Sequence, residues 1–216
     1  MLEKEKIISI PEKKEEGPKV FKRVYFPKEI PEDESLSIAR DLTPLTAEGF
    51  MQNTTELTEA LIQDVRNHVC GSERLVVAYR AGMPCAFICS SLIEVDEGLL
   101  YHLEGIIVET ALQGNGFAEE FVNEELQKTR ADLIGFHTQS KKMFCLGKKI
   151  ADFSTGLAHM YGPTIHSVKM VGGVDKGRYG SCLYGDIERF RPDAIEEINW
   201  MNGDALICIG SIKNKR

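Results

Sequence analysis

Within the apolar run 99–108 stand two side chains able to move protons, His102 and Glu104. Residues two apart on a strand share a face, so both are expected on one side of it together with Ile106 and Val108. Each loses hydration in such a run unless it is paired or opens on a cleft. Two readings are open at this point: groups lining a cleft, or a structural pair on a solvated strand end.

Directly after this run comes a turn, Gln113-Gly114-Asn115-Gly116-Phe117-Ala118, leading into an amphipathic stretch. Glycine at 114 and 116 permits left-handed backbone and leaves no Cβ in the way of a ligand. Amide groups gathered at the positive end of a helix would suit a phosphate or pyrophosphate. A dinucleotide fingerprint fails here because Glu119 stands where the third glycine belongs, and a Walker loop would need a G-K-[ST] sequence that the chain lacks. A plain strand-to-helix turn needs the same glycines for geometry alone.

The six residues from Gln113 to Ala118 fit the pattern [RQ]-x-x-G-x-[GA] and resemble the GNAT superfamily of acyl-CoA-dependent N-acetyltransferases. The likeness extends in element order over about residues 36–210, and its specific part is 99–146. It implies that Leu112, Gln113, Gly114, Asn115, Gly116, Phe117 and Ala118 cradle the pyrophosphate of coenzyme A, and that Ile106, Ile107 and Val108 offer main-chain hydrogen bonds to the pantetheine arm. Acetyl-CoA is then the co-substrate, no metal is needed, and a primary amine of a small molecule or peptide attacks the thioester directly. Glu104 is the first candidate for the general base and His102 the second.

The chain departs from that pattern in the helix after the next strand, where Ser140 stands for the usual Asn and Gly147 for the usual acidic Tyr. The proton for the leaving thiolate would have to come from water or from a residue such as Tyr161, Tyr179 or Tyr184. This loss favours the alternative, a CoA-binding sensor or scaffold without turnover; a nucleotide-binding protein is a third and weaker reading. Lys141, Lys142, Lys148 and Lys149 would reach nucleotide phosphates or simply be solvated. Cys145 is expected to be a small buried residue rather than a nucleophile assisted by His137.

These groups need a frame. Strands are expected at 37–39, 75–79, 84–93, 99–108, 133–138, 165–171, 182–187 and 205–209, with a hairpin through Gly82. Helices are expected at 46–52, 56–68, 116–129, 140–157 and 194–199, from apolar residues at helical spacing. Strand, helix and strand over 99–138 imply a right-handed crossover between parallel strands. The fold class is α/β in the α+β sense, a three-layer arrangement of a mixed, mainly antiparallel sheet flanked by helices. Residues 1–35, rich in Lys, Glu and Pro, read as a partly ordered tail in which 7–10 and 20–26 are β-prone, and 36–216 as the acyl-CoA-binding domain.

Composition narrows the partners. A net charge of -7 opposes a phosphate backbone, so nucleic acid is excluded as the main partner. No apolar run approaches the roughly 18 residues of a membrane span. The six cysteines are scattered without a C-x-x-C pair, and the acidic start is unlike a signal peptide, which points to a cytoplasmic protein with reduced thiols. A free sheet edge or the tail leaves room for a homodimer.

Overall fold

Period-two and helical patterns alternate along the chain, and strands and helices alternate with them in a computed structural model that describes residues 19–50, 58–153, 165–167, 173–175 and 205–213. In order these are β1 (Val20–Tyr25), α1 (Glu32–Gly49), α2 (Glu59–Gly71), β2 (Arg74–Arg80), β3 (Met83–Val95) and β4 (Gly98–Val108). After them come α3 (Phe117–Thr129), β5 (Leu133–Thr138), α4 (Lys141–Ile150), β6 (Ala151–Phe153), β7 (Ile165–Ser167), β8 (Gly173–Asp175) and β9 (Ala205–Ile212).

Among the described residues one sheet runs β1-β2-β3-β4-β5-β9-β8-β7, with β6 also paired to β9. Its pairs are antiparallel except β4 with β5. Helices α1 and α2 cover one face, where Ile38, Leu42, Leu45, Val65 and Val69 pack on Leu75, Val77, Phe87 and Cys89. On the other, Phe121, Val122, Leu126, Phe144 and Ile150 from α3 and α4 pack on Val76, Ile88, Tyr101, Leu103 and Phe136. The three layers and the mixed, mainly antiparallel sheet are those expected. The β2–β3 hairpin turns through Ala81 at φ 51° and Gly82 at φ 82°, the left-handed pair that a tight hairpin requires.

Two expectations fail for identifiable reasons. Residues 37–39 are helical because they fall inside a longer pattern, with acids Glu32, Asp33 and Glu34 in the first turn and Ser35, Ile38, Ala39, Leu42 and Leu45 buried along one stripe. The helix survives Pro44, and the Thr43 and Thr46 hydroxyls donate to the carbonyls of Ala39 and Leu42 at 2.6 and 3.0 Å. The helix expected over 140–157 stops at Ile150, where Ala151–Phe153 becomes a strand because β9 offers an open ladder to pair with. Strand 165–171 is described only as Ile165–Ser167, while 7–10, 182–187 and 194–199 lie outside the described residues.

A buried ion pair ties α3 to the sheet. Glu125 is fully buried, and its Oε2 accepts from Arg74 Nε at 3.0 Å and Nη2 at 2.8 Å, while Lys128 donates to Oε1 at 3.0 Å. Removing the carboxylate strands a mostly buried guanidinium. Glu125→Ala is therefore expected to lower unfolding free energy by about 3–5 kcal/mol in urea titration, whereas Lys28→Ala, which breaks an exposed pair with Glu73, should change it by no more than about 1 kcal/mol.

Candidate functional site

Strands β4 and β5 are hydrogen-bonded partners at three positions only, Leu100↔Leu133, Tyr101↔Ile134 and His102↔Gly135. Past His102 the two diverge, β4 staying with β3 to Val108 and β5 with β9 to Thr138. Among the described residues no strand pairs with the β5-facing edge of β4 beyond this point. The result is a fork that widens toward the glycine turn, with one strand edge exposed along it.

A bulge sits at the throat of the fork. Pairing between β3 and β4 steps from Cys89↔Gly105 to Ser90↔Leu103, which leaves Glu104 as the extra residue. One inserted residue reverses which side chains face which layer. Tyr101 and Leu103 before the bulge, and Ile106 and Val108 after it, all pack in the α3/α4 cluster, while Ile107 packs toward α1 and α2. His102 and Glu104 therefore do not share a face with Ile106 and Val108, contrary to the regular alternation expected. They lie on the α1/α2 side, half-buried, where the Ser91 hydroxyl donates to Glu104 Oε1.

Other polar groups gather at this point. A Cβ added to Gly105 would lie 2.9 Å from His68 Nε2, so the glycine lets α2 bring an exposed imidazole against the bulge. The rings of His102 and His137 meet edge to face across the fork, with centroids 6.0 Å apart and planes at 71°. Cys89 lies on the same side of β3, and burial, together with the neighbouring Glu104 charge, pushes its thiol up to about 12, so it stays neutral and non-nucleophilic. Sequence reasoning found Glu104 and His102 but missed Ser91 and His68, and named His137 only beside Cys145. A lone glycine following Glu104 within an apolar strand was the available signal for a bulge.

The turn opens outward. Gly114 and Gly116 both have φ of 81°, and nothing lies within 4 Å of a Cβ placed on either. The amides of Leu112 and Gln113 are already bonded to the carbonyls of Glu109 and Thr110 at 2.9 and 3.1 Å. Among the described residues, no protein acceptor takes the amides of Gly114, Asn115, Gly116, Phe117, Ala118 and Glu119, at and before the first turn of α3. Gln113 Nε2 donates to the Val108 carbonyl at 2.8 Å and Lys142 Nζ donates to Gln113 Oε1 at 2.8 Å, tying α4 to the end of β4. Lys149 pairs with Glu119 at 2.9 Å, which offsets part of the repulsion that this carboxylate presents at the helix start. Thr110 N donates to Glu48 Oε1 at 2.9 Å, a tether from α1 to the same turn.

On α4, Ser140 caps the helix by accepting from Met143 N at 3.3 Å. Gly147 is buried against aromatic rings: a Cβ there would run into the Phe136 ring at Cζ and lie 2.7 Å from Phe153 Cζ. Cys145 is exposed rather than buried as expected, on the opposite side of the helix stripe from Phe144 and Ile150. Tyr161, Tyr179 and Tyr184 lie outside the described residues. Among the described residues no group of three His, Cys, Asp or Glu side chains is placed to hold a metal ion, and no helix is long and apolar enough to cross a membrane.

No family model matches the sequence, and no curated protein does. Solved structures similar to the chain include an acetyltransferase of the GNAT family from Streptococcus pneumoniae, 13% identical over 90% of this chain and 99% of that one, TM-score 0.43. Another is the NatC complex bound to Gag peptide and CoA, 14% identical over 89% and 98% of the two chains, TM-score 0.41. A Pyrococcus horikoshii protein assigned as an acetyltransferase is 15% identical over 62% of this chain, TM-score 0.44, and this chain spans 44% of its length.

The packing at Gly147 leads to an expected sign reversal. Alanine in place of a helical glycine ordinarily stabilises, but here the methyl group would collide with two rings. Gly147→Ala should lower stability by about 1–3 kcal/mol in thermal or urea unfolding, and Gly147→Tyr should yield little folded protein.

Proposed function

We propose that this protein is a GNAT-type acyltransferase that binds acetyl-CoA in the β4–β5 fork and passes its acetyl group to a primary amine of a small molecule or peptide. The observation that carries this reading is the joining of the fork to an open turn whose amides, Gly114 to Glu119, have no protein acceptor among the described residues. A diphosphate satisfies such amides, and a linear amide-containing arm satisfies a strand edge. Ile106 and the Val108 N–H are the main-chain candidates for that arm, since Gln113 already occupies the Val108 carbonyl and the main chain of Ile107 turns to Phe87 of β3, in step with the Glu109 N–H that donates to Cys85. Lys142, held near the turn through Gln113, adds positive charge there.

The chemistry follows from what stands at the throat. An ammonium cannot attack a thioester, so the amine must lose a proton, and Glu104 takes it directly or through water. Ser91 fixes the carboxylate by its hydroxyl donation. A backbone N–H near Val108 polarises the carbonyl as negative charge develops on its oxygen. Cys89 is too firmly protonated to form an acyl-enzyme, which favours direct transfer.

Two variants test binding and chemistry separately. Gly116→Val, placing a β-branched side chain at φ 81° in the open turn, should weaken coenzyme A by at least about tenfold in isothermal titration; equal affinity in a folded variant removes the turn from its role. Glu104→Gln should bind coenzyme A like the wild type and slow amine acetylation by about 10²-fold or more, and full activity would remove Glu104. Coenzyme A binding without acetylation of any amine would instead favour the non-catalytic binding module, the reading to which the packed Gly147 lends weight.

A further inference from the structure

Resting on the acyltransferase reading, we propose that His102 and His137 form a relay across the β4–β5 fork, carrying the amine's proton from Glu104 to the departing sulfur, with His137 as the acid. Thioester aminolysis creates a proton surplus and a proton deficit within one event. The nitrogen sheds a proton as it becomes an amide, and the sulfur leaves with the electron pair of the C–S bond. A fork separates the two strands, so the carboxylate on one arm does not by itself serve a group leaving toward the other.

The two strands themselves provide a bridge. Glu104 and His102 lie on the same side of β4, two residues apart and flanking Leu103, which points into the opposite layer. His137 stands on β5, two residues past Gly135, the last partner of His102, and therefore on the first length of β5 that has left β4. Ile134 and Phe136 belong to the α3/α4 core, so His137 faces the same side as His102, and the edge-to-face contact of the two rings follows. Both imidazoles are half-buried, open enough to meet a reactant. Imidazole is the side chain whose ordinary titration lies near neutrality and whose two nitrogens can take a proton on one side and give one on the other. Among the described residues, ionisable groups facing this place include Glu104, the neutral Cys89 thiol from β3 and His68 from α2.

The step balances without an outside reagent. Glu104 first passes the ammonium's proton to solvent; the neutral amine's lone pair then forms the C–N bond, Glu104 receives the proton that the nitrogen sheds on bonding, and the carbonyl oxygen carries the charge until the C–S bond breaks. Sulfur keeps that bond's electrons and takes a proton from protonated His137. His102 then moves the proton from Glu104 to His137, so the protein ends each cycle as it began, having converted amine and thioester to amide and thiol.

The test uses the full-length protein, acetyl-CoA, and a panel of lysine, spermidine and short peptides with free N-termini, with thiol release as the readout. His137→Asn and His102→Asn should each lower turnover at least tenfold, with coenzyme A affinity within twofold of wild type and folding confirmed by circular dichroism. In His137→Ala, added imidazole should restore much of the loss, and more so at pH values where it is protonated; a role confined to packing would not respond. Wild-type rates in either Asn variant, or a slow His137→Ala variant indifferent to imidazole, overturn the relay while leaving the acyltransferase reading intact. Absence of turnover by the wild type on every amine overturns that reading and the relay with it.

Discussion

Everything at the site depends on hydrogen bonding that stops. Parallel strands β4 and β5 pair for three residues and then part, and the backbone groups left along β4 must be satisfied by something other than a strand. The sheet can afford the opening because each arm has a second partner: β3 holds β4 along its length, and β9 holds β5. Layers of helices on both faces keep the arms from closing again, with Tyr101 and Phe136 buried on the same side as α3 and α4. A cleft built in this way is lined by main chain, which accounts for how little of it is announced by side chains.

The elements that close on the sequence alone are those with a strong local period. The run 99–108, the helix after the glycines and the hairpin through Gly82 are all where pattern places them, because their burial and turn chemistry are encoded within a few residues. The failures have non-local causes. Residues 151–153 continue an apolar helical stripe but pair with a strand more than fifty residues further on. Residues 37–39 look extended only when the acids and apolar spacing on either side are ignored.

The candidate site was half legible for the same reason. His102 and Glu104 stood out as polar residues in an apolar strand, and the turn by its glycines. The grouping of Ser91, His68 and His137 around them depends on strand register and helix placement, and none of the three stands near the others in the chain. The turn itself is more selective than its six residues imply, since the amides at its beginning close a helical turn and only the later ones remain for a guest.

The extra residue in β4 makes length itself a variable. Deleting one residue between Leu103 and Ile106 would let β3 and β4 zip together evenly with Tyr101, Leu103, Ile106 and Val108 still facing the α3/α4 layer, because the bulge is what brings odd and even positions onto one side. Such a chain would keep its core and lose the irregularity in which Glu104 sits. Loss of a codon there is thus survivable for the fold and costly for the carboxylate's niche, whereas a codon gained elsewhere along β4, with no bulge to absorb it, would turn the half of the strand nearest the turn inside out.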